Sequence, residues 1–148
     1  MYDEARAGDP RLPGAHEGVV SKGALARLFG ELGPMSDYGS WRQALRMGGL
    51  NLCERKSGRY VGQTKISRKG RPLVRVILNQ MALPLVKRDR LFGEYYHHKI
   101  SVQKMEGKKA MTAVARKILK MIWGWYQSAG AFDPARVFAC ESARRRAA

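Results

Sequence analysis

Residues Gly49 to Arg75 read GLNLCERKSGRYVGQTKISRKGRPLVR, and around them the chain changes character. From Leu50 to Ile66 helical spacing gives way to short β-like pieces broken by Gly58 and Gly62, the pattern of a hairpin or an irregular extended loop. Residues 54 to 75 carry Arg55, Lys56, Arg59, Lys65, Arg68, Lys69, Arg71 and Arg75 against the single acid Glu54. Two glycine-bounded turns stand among these charges, Ser57-Gly58 and Ser67-Arg68-Lys69-Gly70. Basic side chains hold phosphates, and glycines let backbone N–H groups approach them. A hydroxyl placed there can bond to a phosphate or attack it. A merely solvated basic hairpin fits the local pattern as well.

On either side of this stretch the chain reads as helix. Ser21 is an N-cap for a helix through Leu32 with Leu25, Leu28, Phe29 and Leu32 on its apolar face, and Gly33-Pro34 ends it. Ser40 and Gln43 form a capping-box pattern for a short helix, Trp41 to Met47, closed by Gly48-Gly49. Pro72 sits at the first position of a helix whose spacing predicts Leu73, Val76, Ile77, Met81 and Leu85 as its buried face, with Pro84 kinking or ending it. Asp89 caps a helix expected over Arg90 to Met105, with Leu91, Phe92, Tyr95, Tyr96 and Ile100 on its apolar side. Tyr95, Tyr96, His97 and His98 are of the types that stack on bases or move protons, although such spacing equally suits a core. The longest helix, Lys108 to Gln127, has Met111, Val114, Ala115, Ile118, Ile122 and Trp125 on one face and Lys109, Arg116, Lys117 and Lys120 on the other. The expected fold is therefore mainly α, a compact helical domain with one short basic β-hairpin insertion.

The ends differ from this middle. Residues 1–18 hold two prolines, three glycines and four acids against two arginines, the composition of a disordered tail. Residues 19–128 form the domain. Residues 129–148 start a last helix at Asp133-Pro134 and run into Arg144-Arg145-Arg146.

With 28 Lys and Arg against 12 Asp and Glu, the net charge of +16 calls for a polyanionic partner, nucleic acid before an anionic membrane surface. Cys53 and Cys140 form no CxxC and no Cys/His cluster, so no zinc site is expected. No run is apolar enough to span a bilayer and no signal-peptide pattern opens the chain, which suggests a cytoplasmic protein. The acids Glu31, Asp37, Glu54, Asp89, Glu94, Glu106, Asp133 and Glu141 are scattered rather than gathered as metal-assisted phosphoryl transfer requires. Ser57 remains, flanked by Lys56 and Arg59, with no general base nearby in sequence. By chemistry alone it is a phosphate contact first and a nucleophile second.

The order GLN, then SG, then KISRKGRPLVR, then EYYHHK, then GKKAMTAVARKIL resembles the C-terminal transposase domain of the IS-one-ten group of insertion-sequence transposases, also described as bridge-RNA-guided recombinases. Ala44 to Leu50, Ser57-Gly58, Ile66 to Gly70, Leu73-Val74-Arg75 and Ala110 to Leu119 carry the likeness, which spans about Val20 to Tyr126. The resemblance implies that Ser57 is the nucleophile that joins a DNA strand. It implies that Lys65, Arg68, Lys69, Arg71 and Arg75 hold DNA or guide-RNA backbone, with Arg116 and Lys117 serving packing and phosphate contact; Arg55, Lys56, Gly58, Arg59 and Ser67, in the same basic loop, are read as nucleic-acid contacts beside them. DNA is the implied partner, with guide RNA, a second copy or a full-length transposase as further ones. Full-length members carry an RNase-H-like domain with metal-binding acids and a coiled coil. Neither is visible here, and GVVSKGALARLFGEL matches only the second half of the family's helix-hairpin-helix. The resemblance thus implies a truncated chain, inactive alone, with no cofactor of its own and Mg²⁺ expected only with the missing domain. A non-enzymatic nucleic-acid-binding module using the same loop is the alternative, and an RNA-associated structural protein a third reading.

Overall fold

The computed structural model describes residues 2–14, 20–54, 56–57, 60–62, 64–128 and 138, and only the backbone of Lys56, Ser57, Tyr60 and Val61. Six helices dominate these residues: α1 (Tyr2–Gly8), α2 (Lys22–Leu32), α3 (Trp41–Met47), α4 (Pro72–Arg88), α5 (Arg90–Ser101) and α6 (Gly107–Ser128), with a 3₁₀ turn at Met35–Asp37. Between α3 and α4 lie four two-residue strands, β1 (Leu52–Cys53), β2 (Lys56–Ser57), β3 (Tyr60–Val61) and β4 (Lys65–Ile66). The mainly helical fold with a short hairpin is the one the sequence predicts.

Several helix ends have a local cause. The Ser21 hydroxyl accepts from the Ala24 N–H at 3.2 Å, and Gly33, at φ 78°, closes α2 by donating to the Phe29 carbonyl. Asp89 Oδ1 accepts from the Phe92 N–H at 3.0 Å and opens α5. Pro72 starts α4, where no N–H is needed. The capping box is met only in part: Gln43 reaches back to the Gly39 N–H at 2.8 Å, while the Ser40 side chain makes no cap bond.

Helix α4 is the centre, packed against α2, α5 and α6, while α3 closes on α6. Its inward face is Val74, Ile77, Leu78, Met81, Ala82 and Leu85. This corrects the predicted face at two positions: Leu73 and Val76 are 52% and 46% exposed. The neighbouring helices select a stripe turned by about one residue from the one inferred. Pro84 does not end α4, which runs on to Arg88. A proline removes the bond to the carbonyl four residues back, and that residue, Gln80, is exposed, so water can serve the freed oxygen. Helix α5 stops at Ser101, short of Met105: Ile100 and Val102 face solvent, no residue of 101–106 is buried, and Lys104 turns left-handed at φ 51°. Leu25 and Leu28 of α2, Phe92 of α5, and Val114, Ile118, Leu119 and Ile122 of α6 complete a core in which each is fully buried. Burial of such side chains contributes roughly 1.5–3 kcal/mol apiece before entropy is counted.

Residues 2–14, whose composition suggests a disordered tail, make contacts with the helical domain. Tyr2 stacks on Phe29 at 6.1 Å between centroids, and its hydroxyl donates to the Pro13 carbonyl at 2.8 Å. Lys22 pairs with Asp3 at 2.7 Å, and the Tyr126 hydroxyl donates to Asp9 Oδ2 at 2.8 Å. Acidic composition does not reveal these tertiary partners. The helix expected at Asp133-Pro134 and the arginines after it lie outside the described residues. No described helix is long and apolar enough to cross a membrane.

Candidate nucleic-acid interface

The interface is built on two turns that cross. Gly48-Gly49 ends α3, and Ser67 to Gly70 leads into α4. The Ser67 N–H donates to the Asn51 carbonyl at 2.8 Å, the Arg68 N–H to Gly49 at 3.0 Å, and the Arg71 N–H to Met47 at 2.8 Å. The Ser67 hydroxyl also donates to the Asn51 side-chain oxygen. Arg75 reaches from the first turns of α4 to the Gly48 carbonyl at 2.9 Å, so a guanidinium meets the negative end of α3. A Cβ on Gly70, at φ 155°, would stand 2.3 Å from the Met47 carbonyl oxygen and 2.5 Å from the Gly49 nitrogen. Only glycine fits this crossing.

From that base β1 and β4 rise as an antiparallel pair, Leu52 opposite Ile66 and Cys53 opposite Lys65. Beyond them β2 pairs with β3, Lys56 opposite Val61 and Ser57 opposite Tyr60. Two residues separate β1 from β2 but three separate β3 from β4, so the ladders are one residue out of step, the count of a β-bulge. The Thr64 hydroxyl donates to Glu54 at 3.5 Å where the ladders meet. Ser57 therefore stands on the last residue of β2, at the outer end of the hairpin. Arg55, Gly58 and Arg59 lie outside the described residues.

The predicted cations divide by what they touch. Lys65, Arg68 and Lys69 are exposed and make no side-chain hydrogen bond or ion pair with described residues. Arg68 holds φ 55°, a left-handed conformation that disfavours any side chain, fixed by its N–H bond to Gly49. Arg71 turns away to α2, donating to the Glu31 carbonyl at 2.7 Å with the Glu31 carboxylate at 3.8 Å. Arg75 and Ser67 hold the crossing together. Three of the six positions from Lys65 to Arg75 thus present open charge, and three lock the turn that presents it.

Arg116 and Lys117 belong to a separate place, the seam between α5 and α6. Lys117 Nζ lies 5.3 Å from the centre of the Tyr95 ring and 5.2 Å from that of Phe138. Arg116 is half-buried, and its Nε is shut off from solvent with no hydrogen-bond partner among the described residues. Desolvation holds its pKa below the usual arginine range, with the Tyr95 phenol acting in the opposite sense.

Two other features escaped the sequence reading. Trp41, at the start of α3, carries the Arg42 guanidinium at 4.8 Å and Lys120 at 5.1 Å from its ring centre. Arg46 is exposed in the last turn of α3, with its carbonyl against Gly70. A tryptophan followed by arginine at a helix start is a visible signal, but the pairing with Lys120 needs the fold. Among the described residues no three His, Cys, Asp or Glu side chains gather where a metal ion could be held.

A search of curated proteins returned no match. A family model described as the transposase IS116/IS110/IS902 family matches residues 18–97, from just before α2 through most of α5 and across the whole hairpin and crossed turn. That match takes in more than half of the chain, and the chain belongs to this family of insertion-sequence transposases, whose work on mobile elements makes DNA its partner.

Proposed function

We propose that this chain is the DNA-gripping and strand-exchange domain of an insertion-sequence transposase. Lys65, Arg68 and Lys69 hold the phosphates of one strand, and Ser57 is the nucleophile. The observation that carries the reading is the crossed turn: three cations without a hydrogen-bond or ion-pair partner among the described residues are presented from a turn tied by three backbone hydrogen bonds and one between side chains, one of them on a residue kept in a strained conformation. A glycine would adopt φ 55° freely; an arginine there supports a task for its side chain.

In the proposed step Ser57 Oγ attacks a backbone phosphorus and forms a serine–phosphate ester. The P–O bond to the neighbouring deoxyribose breaks, and the serine proton passes, through a base or water, to the leaving oxygen. Cations beside the phosphate offset charge gathering on its non-bridging oxygens. Carboxylates and Mg²⁺ are assigned to another domain or chain, a full-length transposase or an oligomeric partner. Guide RNA presents the same phosphates to the same turn.

The grip is tested by titrating duplex DNA, and separately RNA, against salt. Replacing Lys65, Arg68 and Lys69 by glutamine should flatten the log–log salt dependence by about 2.7, from roughly 0.9 per lost duplex phosphate contact. Ser57→Ala should leave affinity within about twofold, since one neutral hydroxyl contributes little to binding. An unchanged slope in the triple variant would move the grip elsewhere on the molecule.

A further inference from the structure

Trp41 of α3 gathers two cations from different helices. The Arg42 guanidinium lies 4.8 Å from its ring centre, and Lys120 Nζ of α6 lies 5.1 Å from the same centre. The ring is half-buried and packs against the core, so this platform is fixed to the fold. An aromatic ring orders a cation without neutralising it and leaves most of its N–H donors open to another partner. A carboxylate does the opposite, as Glu31 does for Arg71. Two like charges gathered at one ring repel each other, and an anion between them relieves that repulsion.

Arg46 continues this side of the helix. It stands four residues after Arg42, one turn on and about 6 Å along the axis, and both residues are exposed. Helix α3, WRQALRM, contains no acid. Its last turn runs straight into the crossed turn: the Gly49 N–H donates to the Arg46 carbonyl at 2.9 Å, and a Cβ on Gly70, the residue after Lys69, would lie 2.9 Å from that same oxygen. Lys120, Arg42, Arg46 and the turn bearing Lys69 thus follow one another as a basic strip. We propose that the outer face of α3, completed by Lys120, is a second backbone-binding surface for DNA. Arg42, Arg46 and Lys120 meet further phosphates of the duplex held at the crossed turn, and Trp41 steadies Arg42 and Lys120 for that contact. Contacts of this kind position a duplex and do not read its sequence. The inference rests on the nucleic-acid reading above and adds residues which that reading leaves idle.

The test is the salt dependence of binding by the full chain to a fluorescent duplex. Arg42→Gln with Arg46→Gln should flatten the log–log slope by about 1.8, from roughly 0.9 per lost phosphate contact, and Lys120→Gln alone by about 0.9. The control is Lys87→Gln with Arg88→Gln, which removes equal charge from the exposed far end of α4, roughly 22 Å of helix from Pro72, and should leave the slope unchanged. Glutamine suits a helix nearly as well as arginine or lysine, so each variant should keep the circular dichroism of the unaltered chain. No flattening by the α3 pair, or equal flattening by the α4 pair, overturns the proposal. Flattening on an RNA hairpin but not on the duplex would assign the face to RNA and overturn the DNA contact. The Lys65, Arg68 and Lys69 variant reports on the crossed turn separately. A fall in its slope with none in the α3 pair would end this inference and leave the crossed turn standing. The reverse would place the grip on α3 and strike the crossed turn instead.

Discussion

Replacing Gly70 by alanine perturbs the crossed turn at its tightest point. The new Cβ would meet the Met47 carbonyl oxygen at 2.3 Å, the Gly49 nitrogen at 2.5 Å and the Arg46 carbonyl oxygen at 2.9 Å. All three are backbone atoms, so no side chain can swing aside. Overpacking of this kind costs about 1–3 kcal/mol, and a non-glycine residue at φ 155° adds on the order of 1–3 kcal/mol. Relief requires the turns to part, with loss of the Arg71-to-Met47 and Arg68-to-Gly49 bonds. The expected total is roughly 2–6 kcal/mol, a large share of the 5–15 kcal/mol that holds a typical domain. In a chain of this length that corresponds to a midpoint lowered by roughly 4–24 °C. The assay is thermal and guanidinium unfolding followed by circular dichroism, with Gly30→Ala as the control. Gly30 lies inside α2 with nothing within 4 Å of its would-be Cβ, and alanine there should stabilise by about 0.5–1 kcal/mol. A Gly70→Ala protein within about 1 kcal/mol of the original would refute the idea that the crossing is rigid.

Three other outcomes follow from named contacts. Arg75→Met removes the guanidinium from the Gly48 carbonyl and should cost about 1.5–3 kcal/mol in the same unfolding assay, its effect on DNA affinity arising through the loosened turn. Asp89→Ala takes the cap from α5 and should cost about 1 kcal/mol, while Asp89→Asn should recover most of it. Docking of α1 should weaken in acid. The Asp9 carboxyl is held below the usual range by hydrogen bonds from Arg11 and Tyr126, and Asp3 by the bond from Lys22. A depressed folded-state value means that the stabilisation is present above the unfolded value near 4 and is lost as the pH falls through the lower, folded one. Amide protection over residues 2–8, taken relative to the intrinsic exchange rate at each pH, should therefore fall below about pH 4 before the core opens; protection that persists until global unfolding would contradict it.

What the sequence disclosed and what it withheld have physical explanations. Caps and turn residues act within a few positions, so Ser21, Pro72, Asp89 and the Gly48-Gly49 stop were legible at once. The hairpin was legible from its glycines and its break in helical spacing. The buried face of α4 was not, because its residues are apolar on more than one side: Leu73, Val76 and Leu83 are exposed while Val74 and Leu78 are fully buried. Only packing against α2, α5 and α6 decides between such stripes. Helix α1 draws its order from Phe29, Lys22 and Tyr126, far along the chain. In the interface, charge and glycine marked the right stretch, but not the division of labour within it. That Arg71 reaches Glu31 and Arg75 reaches Gly48, leaving Lys65, Arg68 and Lys69 open, depends on contacts 27 to 40 residues apart.

The serine at the outer end of the hairpin carries the central chemical claim. The direct measurement is incubation of the chain with an end-labelled nicked DNA junction and Mg²⁺, with and without the N-terminal domain of a full-length family member. Products are resolved on a denaturing gel and the attachment site is read by mass spectrometry. A covalent adduct at Ser57 that disappears in Ser57→Ala, while duplex binding persists, is the expected result. An adduct that survives the substitution, or none under either condition despite tight binding, would contradict the nucleophile and leave a domain that grips DNA without cutting it.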